Sequence, residues 1–233
     1  MHLFYTPDIE NSLELPAEEA AHCVKVLRLQ PGEQITLTDG KGCFYLAELE
    51  EVSKRRVTVY IQERTGWEKG WNGRIHLAVA PTKNLDRMEW LTEKATEVGV
   101  DELSFLNCRF SERKVLKLER IGKIVVSAMK QSLKGIMPRL NEMEDFKKFI
   151  QTPREGRKFI AHCQETPKAF LRDILRPGED VTLLIGPEGD FSQEEVEMAH
   201  AAGYEAISLG NSRLRTETAA LVGVTILNMW NQK

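Results

Sequence analysis

Two glycine-containing segments in the second half of the sequence hold residue types that can build a ligand site. Residues 183–192 read LLIGPEGDFS, and residues 209–220 read LGNSRLRTETAA. In each segment a short apolar run is followed by glycine and then by polar residues that open a helix. Because glycine has no Cβ, backbone N–H and C=O groups there can approach a small molecule closely. The pair predicts one composite small-molecule site, although each segment alone also fits an ordinary strand-to-helix turn.

The residue spacing in these segments limits the ligand. Neither segment matches the phosphate-loop pattern G-x-x-x-x-G-K-[ST] or the dinucleotide pattern G-x-G-x-x-G. The turn Gly186-Pro-Glu-Gly189 also places no lysine beside a phosphate. Backbone groups with a carboxylate nearby suit a neutral or cationic adenosine derivative better than a triphosphate.

Charge is distributed unevenly along the chain. The formal net charge is −3, yet residues 109–139 contain nine basic and two acidic residues and carry +7, which leaves −10 for the remainder. A basic stripe on an acidic body is typical of a protein that binds a polyanion. A solvated helix face with its counter-charges elsewhere has the same composition, so both interpretations stay open at this point.

The remaining composition sets the class of protein. A hydrophobic fraction of 42% is sufficient for a buried core. The first residues have no basic or apolar signal-peptide region, and no apolar run reaches the roughly 18 residues of a membrane span. We expect a cytoplasmic protein with no metal and no membrane contact. Its four cysteines, at spacings that fit neither a zinc site nor a disulfide framework, are Cys23, Cys43, Cys108 and Cys163.

Residues 1–68 are expected to form a small β-barrel domain. A helix is predicted to begin at Pro16, since proline is favoured in the first helical turn. Strands are predicted at residues 34–38, 43–49 and 56–61, the first two joined by a turn that contains Asp39-Gly. Short hairpins in a unit of this size favour a barrel.

Residues 69–233 are expected to form an α/β domain with a parallel sheet, because strand and helix patterns alternate. Gly99 is predicted to end one helix, Ser192 and Glu195 to form a capping box, and an apolar helix to begin near Thr216. A long basic helix is predicted to carry its lysines and arginines largely on other faces than the apolar one, which holds Val115, Leu118, Ile121, Ile124, Val125, Ala128 and Met129. The predicted strands cover residues 75–80, 103–106, 158–162, 181–185 and 206–209.

The two glycine-containing segments together resemble the C-terminal signature of the SPOUT methyltransferases. Within that superfamily the chain resembles the ribosomal RNA small subunit methyltransferase E family, which methylates N3 of a uridine in the decoding region of 16S rRNA. Matching segments also lie upstream, in family order, and span the whole chain. They are His22-x-x-x-Val26-Leu-Arg-Leu29, the run from Lys83 to Gly99, Ser111-Glu-Arg113, and Ala128-Met-Lys-Gln131-Ser. Departures from the family pattern occur at Asn84, Lys130 and Lys134.

The resemblance implies a fold and a cofactor that sequence patterning does not show. It implies an N-terminal PUA-like RNA-binding domain at residues 1–68 and a SPOUT domain at residues 69–233, whose sheet ends in a deep trefoil knot. It also implies a homodimer that binds S-adenosyl-L-methionine in the knot loops. The cofactor-binding positions carried over by motif are Leu184, Gly186, Pro187, Glu188, Gly189, Leu209, Gly210, Ser212, Leu214, Arg215 and Thr216.

The implied reaction defines the catalytic candidates. Uridine N3 carries a weakly acidic proton between two carbonyls, so methyl transfer requires loss of that proton or stabilisation of the anion. Glu217 is the candidate base, and Arg215 is the candidate cation for charge on O2 or O4. Glu217 equally fits a structural role, in which its carboxylate in the first helical turn only stabilises the helix.

The implied substrate is 16S rRNA of the small ribosomal subunit, which requires basic and polar contacts. Two other functions remain open: a SPOUT methyltransferase that acts on another position, such as a ribose hydroxyl or a guanine, and a non-catalytic RNA-binding module. The candidate RNA contacts are Arg28, Lys83, Arg87, Arg113, Gln131 and Lys134.

Overall fold

The structure is a computed structural model that describes residues 2–53 and 56–233. Contacts between Cα atoms divide the chain into two units. The first unit combines residues 1–69 with residues 126–137, and the second combines residues 70–125 with residues 138–233. Residues 126–137 therefore cluster with the first unit, although they follow it in sequence by more than fifty positions.

The first unit is built on a four-stranded sheet with the strand order β1-β2-β3-β4. The predicted hairpin between β2 and β3 is confirmed, and the Asp39 carboxylate stabilises its turn by accepting hydrogen bonds from the backbone N–H groups of Lys41 and Cys43. The short strand β1, which pairs in parallel with β2, was not predicted. The strands are β1 (Leu3–Tyr5), β2 (Gln34–Thr38), β3 (Cys43–Val52) and β4 (Val57–Gly66).

One helical segment of the first unit changes from an α-helix to a π-helix along its length. Helix α1 (Ala17–Ala21) begins directly after Pro16, as predicted, and continues into a π-helix at His22–Leu27. Arg28 ends the π-helix with a φ of 55°, in the left-handed region that side-chain-bearing residues rarely adopt. The sequence pattern does not predict either feature.

The second unit contains a seven-stranded sheet in which all neighbouring strands are parallel. The strand order is β7-β6-β5-β10-β8-β11-β9. The five predicted strands are confirmed, whereas the edge strands β7 and β9 were not predicted. The strands are β5 (Ile75–Val79), β6 (Glu102–Asn107), β7 (Arg139–Asp145), β8 (Arg157–Ala161), β9 (Ala169–Phe170), β10 (Val181–Ile185) and β11 (Glu205–Ser208).

Helices cover this sheet on both faces. Helix α7 packs on β5 and β10 together with α2, whereas α4 packs against α6, β6 and β7. The predicted caps are confirmed: Gly99 ends α2, and Ser192 and Glu195 form the capping box of α6. The helices are α2 (Leu85–Val98), α3 (Leu118–Gln131), α4 (Phe146–Gln151), α5 (Leu171–Ile174), α6 (Gln193–Ala201) and α7 (Thr216–Trp230). Across the described ranges, no helix is both long and apolar enough to cross a membrane.

The basic helix begins later than its sequence pattern predicts. Val115 was expected on the buried face, but the helix starts at Leu118 and Val115 is 73% exposed. Leu116, in the connection before the helix, is buried in its place. Most of the remaining prediction is confirmed, since Ile121, Val125, Ala128 and Met129 are buried while Lys117, Arg120 and Lys123 are exposed. The other two residues of the predicted face, Leu118 and Ile124, are half-buried.

Candidate active site

The two glycine-containing segments meet at the carboxyl edge of the seven-stranded sheet. One segment follows β10 and the other follows β11, and the carboxyl ends of parallel strands lie at the same edge. The Thr216 hydroxyl, in the first turn of α7, donates a hydrogen bond of 3.1 Å to the carbonyl oxygen of Gly186. This buried bond joins the two segments, 30 positions apart in sequence, into one site.

The first loop, residues 186–191, is a tight turn. The backbone N–H of Asp190 donates to the carbonyl of Pro187 at 2.9 Å, and Asp190 has a φ of 67°. A Cβ on Gly186 would lie 3.1 Å from the Phe191 ring, so this position leaves little room for a side chain. Glu188 is exposed, and its carboxylate accepts a hydrogen bond of 2.9 Å from the backbone N–H of Lys83.

A further loop, residues 162–168, is fastened to the first loop. The backbone N–H of Cys163 donates to Asp190 Oδ2 at 2.8 Å, and the Gln164 amide donates to the carbonyl of Phe191 at 3.2 Å. Beside these contacts lies His162, which is 7% exposed, and neither of its ring nitrogens has a hydrogen-bond partner among the described residues. Burial and the neighbouring Lys168 lower the pKa of His162.

His162 was missed at the sequence level. A signal was available, because it is the first polar residue after the apolar end of β8, at the same sheet edge as the two glycine-containing segments. An unpaired buried imidazole is costly unless a ligand or water satisfies it. His162 therefore joins the candidate site.

The second loop, residues 209–215, leaves its backbone available to a ligand. Gly210 has a φ of 138° and faces open space, and among the described residues its N–H and C=O groups bond only the Ser208 hydroxyl. Within the described ranges, the backbone N–H groups of residues 211–215 donate to no protein acceptor. Because polar backbone groups need partners, this loop provides a row of donors for water or a bound molecule.

The two predicted catalytic residues differ in exposure. Arg215 precedes α7 and is exposed, and its guanidinium has no partner in the described part of the chain. Glu217 is buried, with Oε1 at 3.7 Å from Nη1 of Arg87 and Oε2 without a hydrogen-bond partner among the described residues. The structure thus places Arg87, predicted as an RNA contact, against the predicted base.

Two other predicted RNA contacts lie beside the first loop. The Arg113 guanidinium donates to the backbone carbonyls of Thr82 and Lys83, which fastens the connection between β5 and α2. The Lys83 ammonium lies 2.8 Å from Glu112, and this hydrogen-bonded pair raises the pKa of Lys83. Asn84 caps α2 by accepting a hydrogen bond from the N–H of Asp86, so this departure from the family pattern has a structural role.

The other three predicted RNA contacts belong to the first unit. Gln131 ends α3, Lys134 follows it, and Arg28 ends the π-helix. Lys130, another departure from the family pattern, forms an ion pair of 2.6 Å with Glu19 of the same unit. These residues thus belong to a different unit from the loops at the sheet edge.

The sheet-edge site combines backbone donors with charged groups of both signs. The second loop offers unbonded N–H groups and the exposed Arg213 and Arg215, and two carboxylates, Glu188 and Asp190, lie in the first loop. In residues 2–53 and 56–233, no group of three or more His, Cys, Asp or Glu side chains is placed to hold a metal ion. The arrangement therefore fits the predicted adenosine derivative.

A cavity of about 720 Å³ lies at the opposite, amino edge of the same sheet. His76 Nε2 hydrogen-bonds Ser104 Oγ at 2.8 Å, and the Asn141 amide donates to both Ser104 and Glu102. The Glu102 carboxylate also pairs with Arg74. In contrast to the carboxyl edge, these polar groups satisfy one another.

Comparison with known proteins connects this geometry to a family. Residues 69–228 match the RNA methyltransferase domain family, and residues 15–62 match the RNA methyltransferase PUA domain. The chain is 31% identical to ribosomal RNA small subunit methyltransferase E from Neisseria gonorrhoeae, whose crystal structure is bound to S-adenosyl methionine. The alignment covers 98% of this chain and 97% of that one, with a TM-score of 0.85. The chain belongs to the ribosomal RNA small subunit methyltransferase E family.

Two other relatives support this assignment over nine tenths or more of the chain. A probable rRNA-methyltransferase from Porphyromonas gingivalis is 44% identical, with a TM-score of 0.94, and the alignment covers 99% of this chain and 98% of that one. Ribosomal RNA small subunit methyltransferase E from Bacillus subtilis is 28% identical over 93% of this chain and 90% of its own length. The resemblance inferred from the motifs is confirmed, as is the PUA-like nature of the N-terminal β domain.

Proposed function

We propose that this RNA methyltransferase transfers the methyl group of S-adenosylmethionine to N3 of a uridine in the decoding region of 16S rRNA. The observation that carries the proposal is the hydrogen bond between Thr216 and Gly186, which joins the two glycine-containing loops into one cradle. The name and bound cofactor of the Neisseria gonorrhoeae relative support it. An enzyme with this substrate acts in the cytoplasm on the small ribosomal subunit.

The cofactor is held mainly by backbone groups of the two loops. The free N–H groups of residues 211–215 offer hydrogen bonds to its polar atoms, and the open face of Gly210 allows close approach. S-adenosylmethionine, when bound, supplies an electrophilic methyl group on a sulfonium centre. The proposed cofactor positions are Leu184, Gly186, Pro187, Glu188, Gly189, Leu209, Gly210, Ser212, Leu214, Arg215 and Thr216, and His162 is added to them.

Arg215 and Glu217 prepare the uracil ring for attack on the methyl group. The exposed Arg215 guanidinium stabilises the negative charge that develops on O2 or O4 when N3 loses its proton. Arg87 forms an ion pair with Oε1 of Glu217. The other oxygen, Oε2, has no hydrogen-bond partner among the described residues and accepts the N3 proton. Both residues lie at the N-terminus of α7, where the helix dipole favours an anion.

The alternative role of Glu217 is structural, because its burial and its contact with Arg87 also suit a carboxylate that positions the arginine and the helix. Glu217→Gln separates the two roles. As a general base, Glu217 contributes about 100-fold to turnover, and the Gln variant is expected to lose that rate. A wild-type rate in Glu217→Gln would assign the residue to positioning alone.

The RNA is held by two groups of residues. Lys83, Arg87 and Arg113 serve at the sheet edge, and Arg28, Gln131 and Lys134 serve in the first unit, whose PUA-like domain at residues 1–68 we assign to RNA binding. We also assign a trefoil knot to the second domain, residues 69–233. The match of this region to the RNA methyltransferase domain family supports it. The Thr216 bond and the contacts of Cys163 and Gln164 hold three loops of that domain against one another.

A homodimer is part of the proposal. Helix α7 carries a stripe at Val222, Ile226, Met229 and Trp230, spaced as one helix face. The first two are half-buried, and Met229 and Trp230 are 70% and 46% exposed. A second copy of the chain would cover this apolar stripe. Sedimentation is expected to give a dimer for the wild type and a monomer for Ile226→Glu; a monomeric wild type would refute this part.

The reaction itself is tested by mapping the product. Small ribosomal subunits that lack the modification are incubated with the protein and S-adenosylmethionine, and the modified nucleotide is identified by mass spectrometry. The expected product is N3-methyluridine in 16S rRNA. A ribose methyl or a methylated guanine would refute the N3 assignment, and calorimetry without cofactor binding at millimolar concentration would favour the non-catalytic RNA-binding module.

A further inference from the structure

A second polar cavity lies within the first unit. Its volume is about 280 Å³. Pockets for small molecules measure about 300–1,000 Å³, so this cavity accepts a group the size of a single nucleoside and is too small for an RNA helix. It is lined by His2, Leu3, His22, Leu27, Lys130, Gln131 and Leu133.

One wall of the cavity is held in place by charge and ring contacts. The Lys130 ammonium lies 2.6 and 2.8 Å from the two carboxylate oxygens of Glu19, and 5.8 Å from the centre of the Phe4 ring. The ring of Phe4 in turn meets that of His22 edge to face, with 6.1 Å between centroids. Lys130 and His22 are thus fixed before any ligand arrives.

Three other polar groups of the cavity are left for a ligand. The side chains of His2, His22 and Gln131 form no hydrogen bond within the described part of the chain. A glutamine amide offers a donor and an acceptor side by side, and an imidazole offers a flat face for stacking. The leucine side chains complete an apolar lining. Stacking faces, apolar walls and one amide are the groups that bind a splayed-out nucleobase.

Two residues at or next to the cavity have a left-handed backbone conformation. Arg28, directly after Leu27, has a φ of 55°, and Leu133 has a φ of 53°. His22 and Leu27 are the first and last residues of the π-helix. Such conformations are costly for residues with side chains and concentrate at functional sites. Leu133 is also 50% exposed at the cavity, as expected for an apolar contact that awaits an occupant.

We propose that this cavity captures one unpaired nucleobase of the RNA substrate, other than the uridine that is methylated. The target base must meet the methyl donor at the loops of the second unit, whereas every residue that lines this cavity belongs to the first unit. The inference rests on the proposed function, because it takes RNA as the substrate. It adds a base-reading site to the PUA-like domain.

Binding of short single-stranded RNA tests the proposal directly. Dissociation constants are measured by fluorescence anisotropy for labelled homopolymers of U, A, C and G, with the full chain. The wild type is expected to prefer one base. Gln131→Leu removes the edge contact and is expected to weaken that complex about tenfold, the effect of about 1.4 kcal/mol, and to abolish the preference. His22→Ala removes a stacking face and is expected to weaken all four complexes by a similar factor.

The matched control is Gln62→Leu, on an exposed position of β4 in the same unit, which is expected to bind as the wild type does. Unfolding temperatures establish that each variant is folded. Wild-type affinity for all homopolymers in both Gln131→Leu and His22→Ala would overturn the proposal. The proposal would also be overturned if the two variants bound every homopolymer as the wild type does but bound the ribosomal subunit more weakly. The occupant of the cavity would then be a protein.

These outcomes are independent of the reaction site. A methyl group mapped to another atom would refute the proposed N3 chemistry and leave the base preference of the cavity unchanged. Conversely, normal N3-methyluridine formation with no base preference would refute only the cavity.

Discussion

The two edges of the seven-stranded sheet differ in how their polar groups are satisfied. At the amino edge, around the cavity of about 720 Å³, His76, Ser104, Asn141 and Glu102 bond one another. At the carboxyl edge, the N–H groups of residues 211–215 and the ring of His162 have no partner among the described residues. Cavity volume would point to the amino edge, whereas unpaired polar groups point to the carboxyl edge. A buried polar group without a partner is costly, so the unpaired ring of His162 marks the carboxyl edge as the candidate ligand site. The exposed loop at residues 211–215 adds accessible backbone donors at the same edge.

The comparison predicts that activity depends on the carboxyl edge and stability on the amino edge. Arg215→Ala gives the largest expected effect. Loss of a group that stabilises developing charge costs about 100- to 1,000-fold in turnover, so we expect kcat to fall by at least that lower factor. Steady-state methyl transfer to small ribosomal subunits measures it, with Arg213→Ala, an exposed neighbour in the same loop, as the control. Wild-type turnover by Arg215→Ala would remove this residue from the mechanism.

At the amino edge, Glu102→Ala is expected to affect stability instead of activity. The change leaves Arg74, Asn141 and His76 without their common partner. Removal of one partner from a buried charge network costs about 3 kcal/mol, and we expect the free energy of unfolding in urea to fall by that amount. Turnover per folded molecule is expected to stay unchanged.

The control for Glu102→Ala is Glu144→Ala. Glu144 lines the same cavity, and its ion pair of 3.0 Å with Lys148 is more exposed to solvent. Such pairs contribute about 0–1 kcal/mol. Equal losses of stability in the two variants would contradict the distinction between a buried network and a surface pair.

The same network makes stability depend on pH. Burial lowers the pKa of His76 to about 4, against the opposing effect of Glu102, and the positive charges of Arg154, Arg74 and Arg139 lower it further. Above pH 6.5 the imidazole is neutral in both the folded and the unfolded state. Between pH 6.5 and 4 the unfolded state binds a proton that the folded state does not, so stability decreases on acidification, by at most about 3 kcal/mol.

His76→Gln is expected to flatten this part of the profile of unfolding free energy against pH. The pKa of His162 is also lowered, so His162 is expected to contribute a dependence of the same sign. If His76→Gln retains part of the pH dependence, the same measurement on His162→Gln shows whether His162 causes it. An unchanged profile in His76→Gln would show that another group carries the dependence.

The smallest expected effect concerns the basic segment at residues 109–139. Lys117 is exposed in the connection before α3 and lies within the basic segment. If it contacts one phosphate, Lys117→Ala reduces the slope of log affinity against log salt by about 0.7 for single-stranded RNA. RNA binding at several salt concentrations measures this slope, with Lys147→Ala, an exposed lysine on α4 outside that segment, as the control. Equal slopes in the wild type and both variants would exclude Lys117 from the RNA interface.

The sequence predicts well those elements that are determined by residues close together in the chain. The strands β5, β8 and β10 are short apolar runs, and the capping box of Ser192 and Glu195 is a pattern within four residues. The strand β7 was missed because its sequence, RLNEMED, is polar and lies at a sheet edge where only one side is paired. Val115 was misplaced because helical periodicity gives a face but does not give the residue at which the helix begins.

The sequence predicts the two motifs of the candidate site but not the contacts that bring them together. Glycines, Arg215 and Glu217 are recognisable from their pattern, and their strands share one edge by the rules of parallel sheets. The contact between Glu217 and Arg87 joins residues 130 positions apart, and that between Thr216 and Gly186 joins residues 30 positions apart. Such pairs depend on how α7 packs on the sheet. The sequence marks His162 as a polar residue at the end of β8, but it does not show that both ring nitrogens are buried without a hydrogen-bond partner among the described residues. It also gives no sign of the cavity of about 280 Å³ in the first unit.

The position of Cys163 gives the molecule a built-in place for a reporter dye. Of the four cysteines, Cys163 is exposed, Cys43 is half-buried, and Cys23 and Cys108 are buried with pKa values that burial raises. A thiol-reactive fluorophore is therefore expected to label Cys163 first. Since its backbone N–H is bonded to Asp190 in the loop that follows Gly186, the dye would sit beside the candidate site. Binding of a cofactor there is then expected to change the fluorescence of the dye, without any engineered residue.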